Sequence, residues 1–131
     1  MASKIPSPYL IPGIKLEKYR PETLCLDVCA FFGITEERIK SKNRKREFVE
    51  PRHTYLSLAH FFFVKDKISY NTLAAVVNGD HSSLIHALRT ISDLCETNKA
   101  FHEKYLQLKE RIKDKIELIE SQDKRISSDA A

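Results

Sequence analysis

The sequence has no tryptophan, one methionine, five prolines and only three glycines among its 131 residues. A protein built from β-strands needs a turn about every dozen residues, and glycine and proline supply most turns. The glycines lie far apart, at Gly13, Gly33 and Gly79, so none belongs to a phosphate-binding loop of the form Gly-x-x-x-x-Gly-Lys-Ser/Thr. These shortages predict an all-α protein and exclude an ATPase of that class.

Long apolar stretches are also missing. The longest nearly apolar run, residues 56–64, has nine residues and is interrupted by His60, whereas a membrane span needs roughly 20. Residues 1–8 contain no apolar core of the kind found in signal peptides. We therefore expect a cytoplasmic protein that does not contact membranes.

Residues suited to catalysis or metal binding are few and irregularly spaced. The three cysteines, Cys25, Cys29 and Cys95, match no common zinc motif, and an odd number favours reduced, buried thiols. No spacing of serine, cysteine, histidine and acidic residues indicates a nucleophile with its base. We expect no enzymatic activity, no cofactor and no metal site.

Charge is abundant, but the excess of one sign is small. The chain has 22 Lys and Arg against 18 Asp and Glu, a net charge of +4, which does not identify a partner. The cations are gathered in residues 38–46, here called the basic segment, which has no acidic residue: Arg38, Lys40, Lys42, Arg44, Lys45 and Arg46. Such a cluster favours binding to phosphates; the alternative is a solvated loop.

The spacing of apolar residues predicts helices after an extended arm at residues 1–20, which is rich in proline. Helical spacing begins at Pro21, a good first residue of a helix, and stops at Gly33. Thr35 is placed to cap a short helical turn. The next helix is predicted to start near Pro51, again as a first-turn proline.

The following segment has the outline of a helix-turn-helix. Ser69 is placed to cap a short helix, Asn78-Gly79 is a turn signal, and Asp80 is a strong N-cap for a longer helix. In such a motif the first residues of the second helix contact base edges in the major groove, which makes candidates of Asp80, His81, Ser82 and Ser83. The alternative is an ordinary capped helix start. Residues 21–98 are the predicted helix-turn-helix domain.

A further amphipathic helix is predicted over residues 99–122, followed by a frayed tail at 123–131. Its apolar face contains Phe101, Tyr105, Leu108, Ile112, Ile116 and Ile119. Two uses of this face remain open. It packs on the domain's own core, or residues 99–120 form the seam of a homodimer, in which Lys115 would spoil one core position.

Two motifs together resemble a known family. They are Ser41-Lys42-Asn43-Arg44-Lys45-Arg46 with Pro51-Arg52, and Gly79-Asp80-His81-Ser82-Ser83-Leu84-Ile85-His86-Ala87. Residues 24–108 are similar to the C-terminal DNA-binding domain of the bacterial replication initiator DnaA, whose signature reads Gly-Gly-Arg-Asp-His-Thr-Thr-Val. The resemblance implies a small helical bundle of the DnaA C-terminal and Trp-repressor type that binds double-stranded DNA.

The resemblance also implies individual roles. Arg44 takes the place of an arginine that enters the minor groove, and Lys42 and Arg46 flank it at phosphate-contacting positions. Arg52 would help to hold the DNA. The predicted DNA-binding residues are Lys42, Arg44, Lys45, Arg46, Arg52, His53, Asp80, His81, Ser82 and Ser83; His53 stands where the family usually has Gln.

The sequence departs from the family at several positions. Gly79 replaces an arginine, and two serines replace threonines, which removes methyl groups available to thymine. No nucleotide-binding part is recognisable, so we expect no nucleotide. We expect a nucleoid-associated DNA-binding protein in replication initiation or its regulation. The alternative is a module that keeps the domain's shape but binds the initiator or another replication protein, through the last helix or Phe61-Phe62-Phe63.

Overall fold

Helices make up nearly all of the chain that the structure describes. This computed structural model describes the backbone of residues 18–130 and the side chains of residues 18–121. Within that range there are six α-helices and one short 3-10 helix, and no strand. They are α1 Pro21–Phe32, α2 Glu36–Ile39, α3 Arg46–Phe63, the 3-10 helix Val64–Asp66, α4 Tyr70–Ala75, α5 His81–Thr97 and α6 Lys99–Ala130. The all-α prediction is confirmed.

Most predicted helix ends are confirmed by their capping interactions. Pro21 is in the first turn of α1, and α1 ends at Gly33, which has the left-handed φ of 69° that favours glycine. The side chains of Thr35 and Ser69 accept backbone N–H groups at the starts of α2 and α4. Asp80 caps α5. Gly33, Thr35, Ser69 and Asp80 thus pair with N–H or C=O groups that the helices themselves leave unpaired.

The predicted start of α3 is wrong. The helix begins at Arg46, so Pro51 is its sixth residue rather than a first-turn residue. A proline inside a helix removes one N–H and with it one hydrogen bond. Here the carbonyl that loses its helical donor is that of Glu47, an exposed residue whose carbonyl is near solvent rather than in the core. The basic segment is therefore part loop and part helix start.

The core lies where α1 and α5 pack against α3, which is buried along most of its length, and α6 packs against α5 and α1. Tyr55 of α3 is fully buried, and its hydroxyl donates to the Leu73 carbonyl at 2.8 Å. Burial also raises the pKa of the Tyr55 hydroxyl, so it stays protonated as a donor. The bond ties α3 to α4, the first helix of the predicted helix-turn-helix.

Helix α6 packs its apolar face on the core of its own chain. Phe101, Tyr105, Leu108 and Ile112 are at most 9% exposed, and the Tyr105 hydroxyl lies 2.7 Å from the Ser57 hydroxyl of α3. The prediction left a homodimer seam open as the other use of this face. That alternative is not supported, because the side chains it needs are covered within one chain.

Lys115 has a different role from the one the sequence suggested. Its ammonium group donates to both carboxylate oxygens of Asp27, at 2.9 and 3.2 Å, and the Tyr19 hydroxyl also donates to Asp27, at 2.6 Å. The side chains of Lys115 and Asp27 are only 20% and 25% exposed. The lysine that would spoil a dimer seam thus joins α6 to α1.

The ends of the chain differ from the predicted boundaries or lie outside the described part. The helical backbone of α6 continues to Ala130, past the predicted end at residue 122. Most of the predicted arm, residues 1–17, is outside the described residues. In the part that is described, no helix is both long and apolar enough to span a membrane.

Candidate nucleic-acid interface

Helices α4 and α5 are joined by a tight turn at residues 76–80. Asn78 has a φ of 59°, a left-handed conformation that asparagine tolerates better than most residues. The Gly79 N–H donates to the Ala74 carbonyl at 2.8 Å. A Cβ atom at Gly79 would lie 3.0 Å from the Ser83 Cβ, so glycine lets the turn pack closely against the first turn of α5.

The first turn of α5 is closed by a capping box between Asp80 and Ser83. The Ser83 N–H donates to the Asp80 carboxylate at 2.9 Å, and the Asp80 N–H donates to the Ser83 hydroxyl at 3.2 Å. These bonds from Ser83 hold the pKa of Asp80 below its ordinary value. Asp80 and Ser83, which are both predicted to contact DNA, therefore form the hydrogen bonds that cap the start of α5.

His81 and Ser82 occupy the same turn and are exposed. The His81 N–H donates to the Asn71 side chain of α4 at 2.7 Å. The His81 ring stacks on the Tyr70 ring, with centroids 5.1 Å apart and planes 25° apart. The Tyr70 hydroxyl in turn lies 3.0 Å from the His60 Nε2. Side chains of α3 and α4 thus support the predicted base-contacting histidine.

The outer face of α5 continues from Ser82 in a shallow groove lined by His81, Ser82, Ile85, His86 and Arg89. Sequence reasoning missed the last three of these residues as candidate contacts. Helical spacing from Ser82 would have found them, since residues three, four and seven positions along share one face. Arg89 adds an exposed cation to this face.

His53, a residue of α3, lies against α5, and its ring centroid is 5.4 Å from that of His86. Burial, with smaller contributions from the nearby His86 and Arg52, lowers the pKa of His53 to about 4. The imidazole is therefore neutral at pH 7. It is placed to present a hydrogen-bonding group rather than a positive charge.

The basic segment folds into a short loop that its own polar side chains organise. The Ser41 hydroxyl donates to the Arg38 carbonyl at 2.8 Å, and the Asn43 side chain accepts the Lys45 N–H at 2.9 Å. Lys42, Arg44 and Lys45 are exposed. Two cations are ion-paired within their helices, Lys40 with Glu36 and Arg46 with Glu50, both at 3.3 Å.

Arg52 points into this loop from α3. Its Nε donates to the Ile39 carbonyl at 2.9 Å, and its Nη2 donates to the carbonyls of Ser41 at 2.6 Å and Asn43 at 3.2 Å. Burial lowers the pKa of Arg52, although a guanidinium stays charged. The resemblance implied that Arg52 holds DNA, whereas its described bonds are to the loop backbone.

The two predicted sites meet at one hydrogen bond. The Asn78 side-chain amide donates to the Lys40 carbonyl at 3.1 Å, which joins the turn before α5 to the basic segment. The described contacts of α6 are with side chains of α1, α3 and α5 that belong to neither site, such as Ser57, Phe61 and Asp27. The turn and the basic segment are therefore in direct contact, and these contacts of α6 involve neither of them.

The cysteines and the Phe61-Phe62-Phe63 run contact other parts of the domain. Cys25 and Cys29 lie on the buried face of α1, and burial raises the pKa of Cys25 to about 12, so this thiol stays protonated. Phe63 is 4% exposed, and the exposed Phe61 ring is covered by the Lys109 ammonium at 3.7 Å. Within the described residues, no three His, Cys, Asp or Glu side chains are grouped to hold a metal ion.

A comparison with protein families identifies the helix-turn-helix. The model described as "Bacterial dnaA protein helix-turn-helix" matches residues 21–91, more than half of the chain. The chain belongs to this family. The predicted resemblance to the DnaA C-terminal domain is thereby confirmed, and the DnaA motif extends from α1 into α5.

Similar proteins are replication initiators. The chain is 36% identical over 76 residues to the chromosomal replication initiator protein DnaA of Bacteroides fragilis, covering 56% of this chain and 15% of that protein. It is 33% identical over 94 residues to DnaA of Chlorobaculum tepidum, covering 70% of this chain and 18% of that protein. No solved structure matches the chain significantly. The chain thus spans less than a fifth of the length of these initiators.

The geometry gives a physical meaning to two departures from the DnaA signature. Asn78 stands at its second glycine, where the left-handed φ is required, and uses its amide to bind the basic segment. Gly79 stands at its arginine and lies against Ser83. Compared with a turn that carries the signature's glycine and arginine, this turn therefore lacks one cation and gains the hydrogen bond of the Asn78 amide.

Proposed function

We propose that this chain binds double-stranded DNA with a helix-turn-helix of the DnaA type. The start of α5 would lie in the major groove with His81 and Ser82 at base edges, and Arg44 of the basic segment would enter the adjacent minor groove. The observation that supports this proposal best is the hydrogen bond between Asn78 and the Lys40 carbonyl, which joins the turn before α5 to the basic segment. The relatives, which are chromosomal replication initiators, support a role in replication initiation or its regulation.

The exposed charges of the basic segment and α5 support the proposal. Lys42, Arg44 and Lys45 are exposed in the loop, and Arg46 is 77% exposed beside it despite its pairing with Glu50. With Arg89, which is exposed on α5, the proposed DNA-binding surface would carry five cations. Phosphate neutralisation by five cations predicts that log affinity falls with log salt concentration at a slope of roughly −5.

The first experiment selects bound sequences from a random duplex pool and then titrates the selected duplex at several salt concentrations. We expect salt-dependent binding, and Arg44→Ala and His81→Ala should each weaken it by about 1–3 kcal/mol. Lys113→Ala, an exposed lysine of α6, is the control for charge alone. A salt-independent affinity, or full binding by the Arg44→Ala and His81→Ala double variant, would contradict the proposal.

A second experiment tests the link to replication. The duplex selected by this chain is compared with the one selected by the full-length DnaA of Bacteroides fragilis. Overlap of the two sequences, and competition for one duplex, is the expected result. If the two selected sequences are unrelated, the chain binds DNA but has a role other than replication initiation. If the chain binds the initiator protein and not DNA, the alternative of a protein-interaction module is favoured.

A further inference from the structure

The basic segment has little regular structure, yet four of its carbonyl oxygens accept hydrogen bonds from side chains outside it. Arg52 of α3 binds the carbonyls of Ile39, Ser41 and Asn43, and Asn78 binds that of Lys40. These carbonyls stand at and just after the end of α2, where no helical N–H is available to pair with them. Two side chains therefore replace the missing donors.

Arg52 is suited to define the shape of the loop. A guanidinium is planar and its N–H groups point in fixed directions, so the acceptors that share it are held at fixed positions relative to one another. The Ser41 carbonyl at 2.6 Å is the closest of the three. The side chain is partly buried, and its bonds to the Ile39 and Ser41 carbonyls are partly buried with it.

Asn78 is suited to define where the loop sits. It lies in the turn, two residues before α5, with a φ of 59°. The hydrogen bond from its side-chain amide to the Lys40 carbonyl joins residues that are 38 positions apart in the sequence. Arg52 thus attaches the basic segment to α3, and Asn78 attaches it to the start of the helix proposed to enter the major groove.

We propose that Arg52 and Asn78 are positioning residues, which hold the basic segment ready for DNA and fix it against α5 before DNA is bound. This inference rests on the proposed function, because it assigns one DNA target to both elements. A loop ordered in advance loses little conformational entropy on binding, so affinity is gained without a further contact. Arg52 acts here through the loop, whereas the resemblance implies that it helps to hold the DNA.

Two variants separate positioning from charge. Arg52→Lys keeps the positive charge but loses the planar fork that binds three carbonyls. Asn78→Gly keeps the left-handed backbone, which glycine adopts freely, and loses only the amide. Arg38→Lys changes an exposed arginine of the same segment and is the matched control.

The first measurement is made without DNA, on the backbone amides of residues 41–45. We expect their NMR order parameters to fall from the roughly 0.85 of a rigid backbone towards 0.6 in Arg52→Lys, with a smaller fall in Asn78→Gly. Arg38→Lys should leave them unchanged. Unaltered order parameters in both test variants would overturn the proposal.

The second measurement is the affinity for the selected duplex. We expect Arg52→Lys and Asn78→Gly each to bind about tenfold more weakly, because the loop must be ordered on binding. Full affinity in Arg52→Lys would mean that only the charge matters, and full affinity in both variants would overturn the proposal while DNA binding stands. Failure of the unaltered protein to bind any duplex would instead remove the proposed function, and this inference with it.

Discussion

Individual side chains of this domain gain their roles from residues distant in sequence. His81 is predicted from its place at the start of a helix. The residues that support it belong to other helices: Tyr70 stacks on the His81 ring, and His60 forms a hydrogen bond with the Tyr70 hydroxyl. Sequence spacing indicates which residues of one helix share a face. It does not indicate which side chain of another helix supports that face.

Tyr70 provides a test of this support. We expect Tyr70→Ala to lower DNA affinity by about 1 kcal/mol, the size of one aromatic pair, because the His81 ring is no longer held. Tyr70→Phe keeps the stack and loses only the bond to His60, so its affinity should stay near that of the unaltered protein. The measurement is a duplex titration combined with the NMR shifts of the His81 ring protons. Equal affinity and equal shifts in all three proteins would contradict the prediction.

His53 predicts a pH dependence of stability. Its pKa is about 4 in the folded protein and about 6.5 in an unfolded chain, so the unfolded state takes up a proton first as the pH falls. The contribution of His53 is therefore complete above pH 6.5 and is lost progressively down to about pH 4. His53→Gln should show a smaller loss of unfolding free energy between pH 7 and pH 5.

The measurement for His53 is urea unfolding at both pH values. His102→Gln, which alters an exposed histidine of α6, is the control and should behave as the unaltered protein does. If His53→Gln loses as much stability on acidification as the unaltered chain, the burial of the neutral imidazole is not the cause.

At the level of elements, local signals placed most helix ends correctly but misplaced the start of α3. Thr35, Ser69 and Asp80 cap helices as predicted, because a cap is an interaction between residues two or three positions apart. Pro51 misled because its preference for the first turn is statistical. The helix begins at Arg46, directly after a loop whose Ser41 carbonyl accepts a hydrogen bond from Arg52.

The α5 cap yields a stability prediction. Asp80→Ala removes the acceptor of the Ser83 N–H and should reduce the free energy of unfolding, because α5 loses its N-cap. Asp80→Asn keeps an acceptor and should cost much less. Thermal unfolding of the two variants measures the difference. Equal destabilisation by both would show that the negative charge of Asp80, rather than its capping bond, stabilises the helix.

For the whole molecule, α6 is part of the core rather than an appendage. Its four most buried apolar side chains each contribute roughly 1.5–3 kcal/mol of burial, which together is comparable with the 5–15 kcal/mol stability of an ordinary domain. A chain ending at Asn98 should therefore lose cooperative folding, although it contains all of residues 21–91, the matched DnaA segment.

Circular dichroism and thermal unfolding test this prediction. A chain ending at Ser121 is the control, since it keeps all the α6 side chains that the structure describes as buried, from Phe101 to Ile119, and should unfold cooperatively. A chain ending at Asn98 that melts in one sharp transition near the temperature of the control would show that α6 is dispensable to the core.

The sequence by itself determined the helical class, most helix ends, the family and the location of the two DNA-binding candidates. These follow from periodicity, capping and motifs, which are properties of neighbouring residues. Only the tertiary structure decided that α6 covers its own core, that Lys115 pairs with Asp27, and that Arg52 and Asn78 bind the basic segment. Each of these depends on which surfaces meet when the helices pack, and residues 88 positions apart, as in the Lys115–Asp27 pair, leave no local pattern.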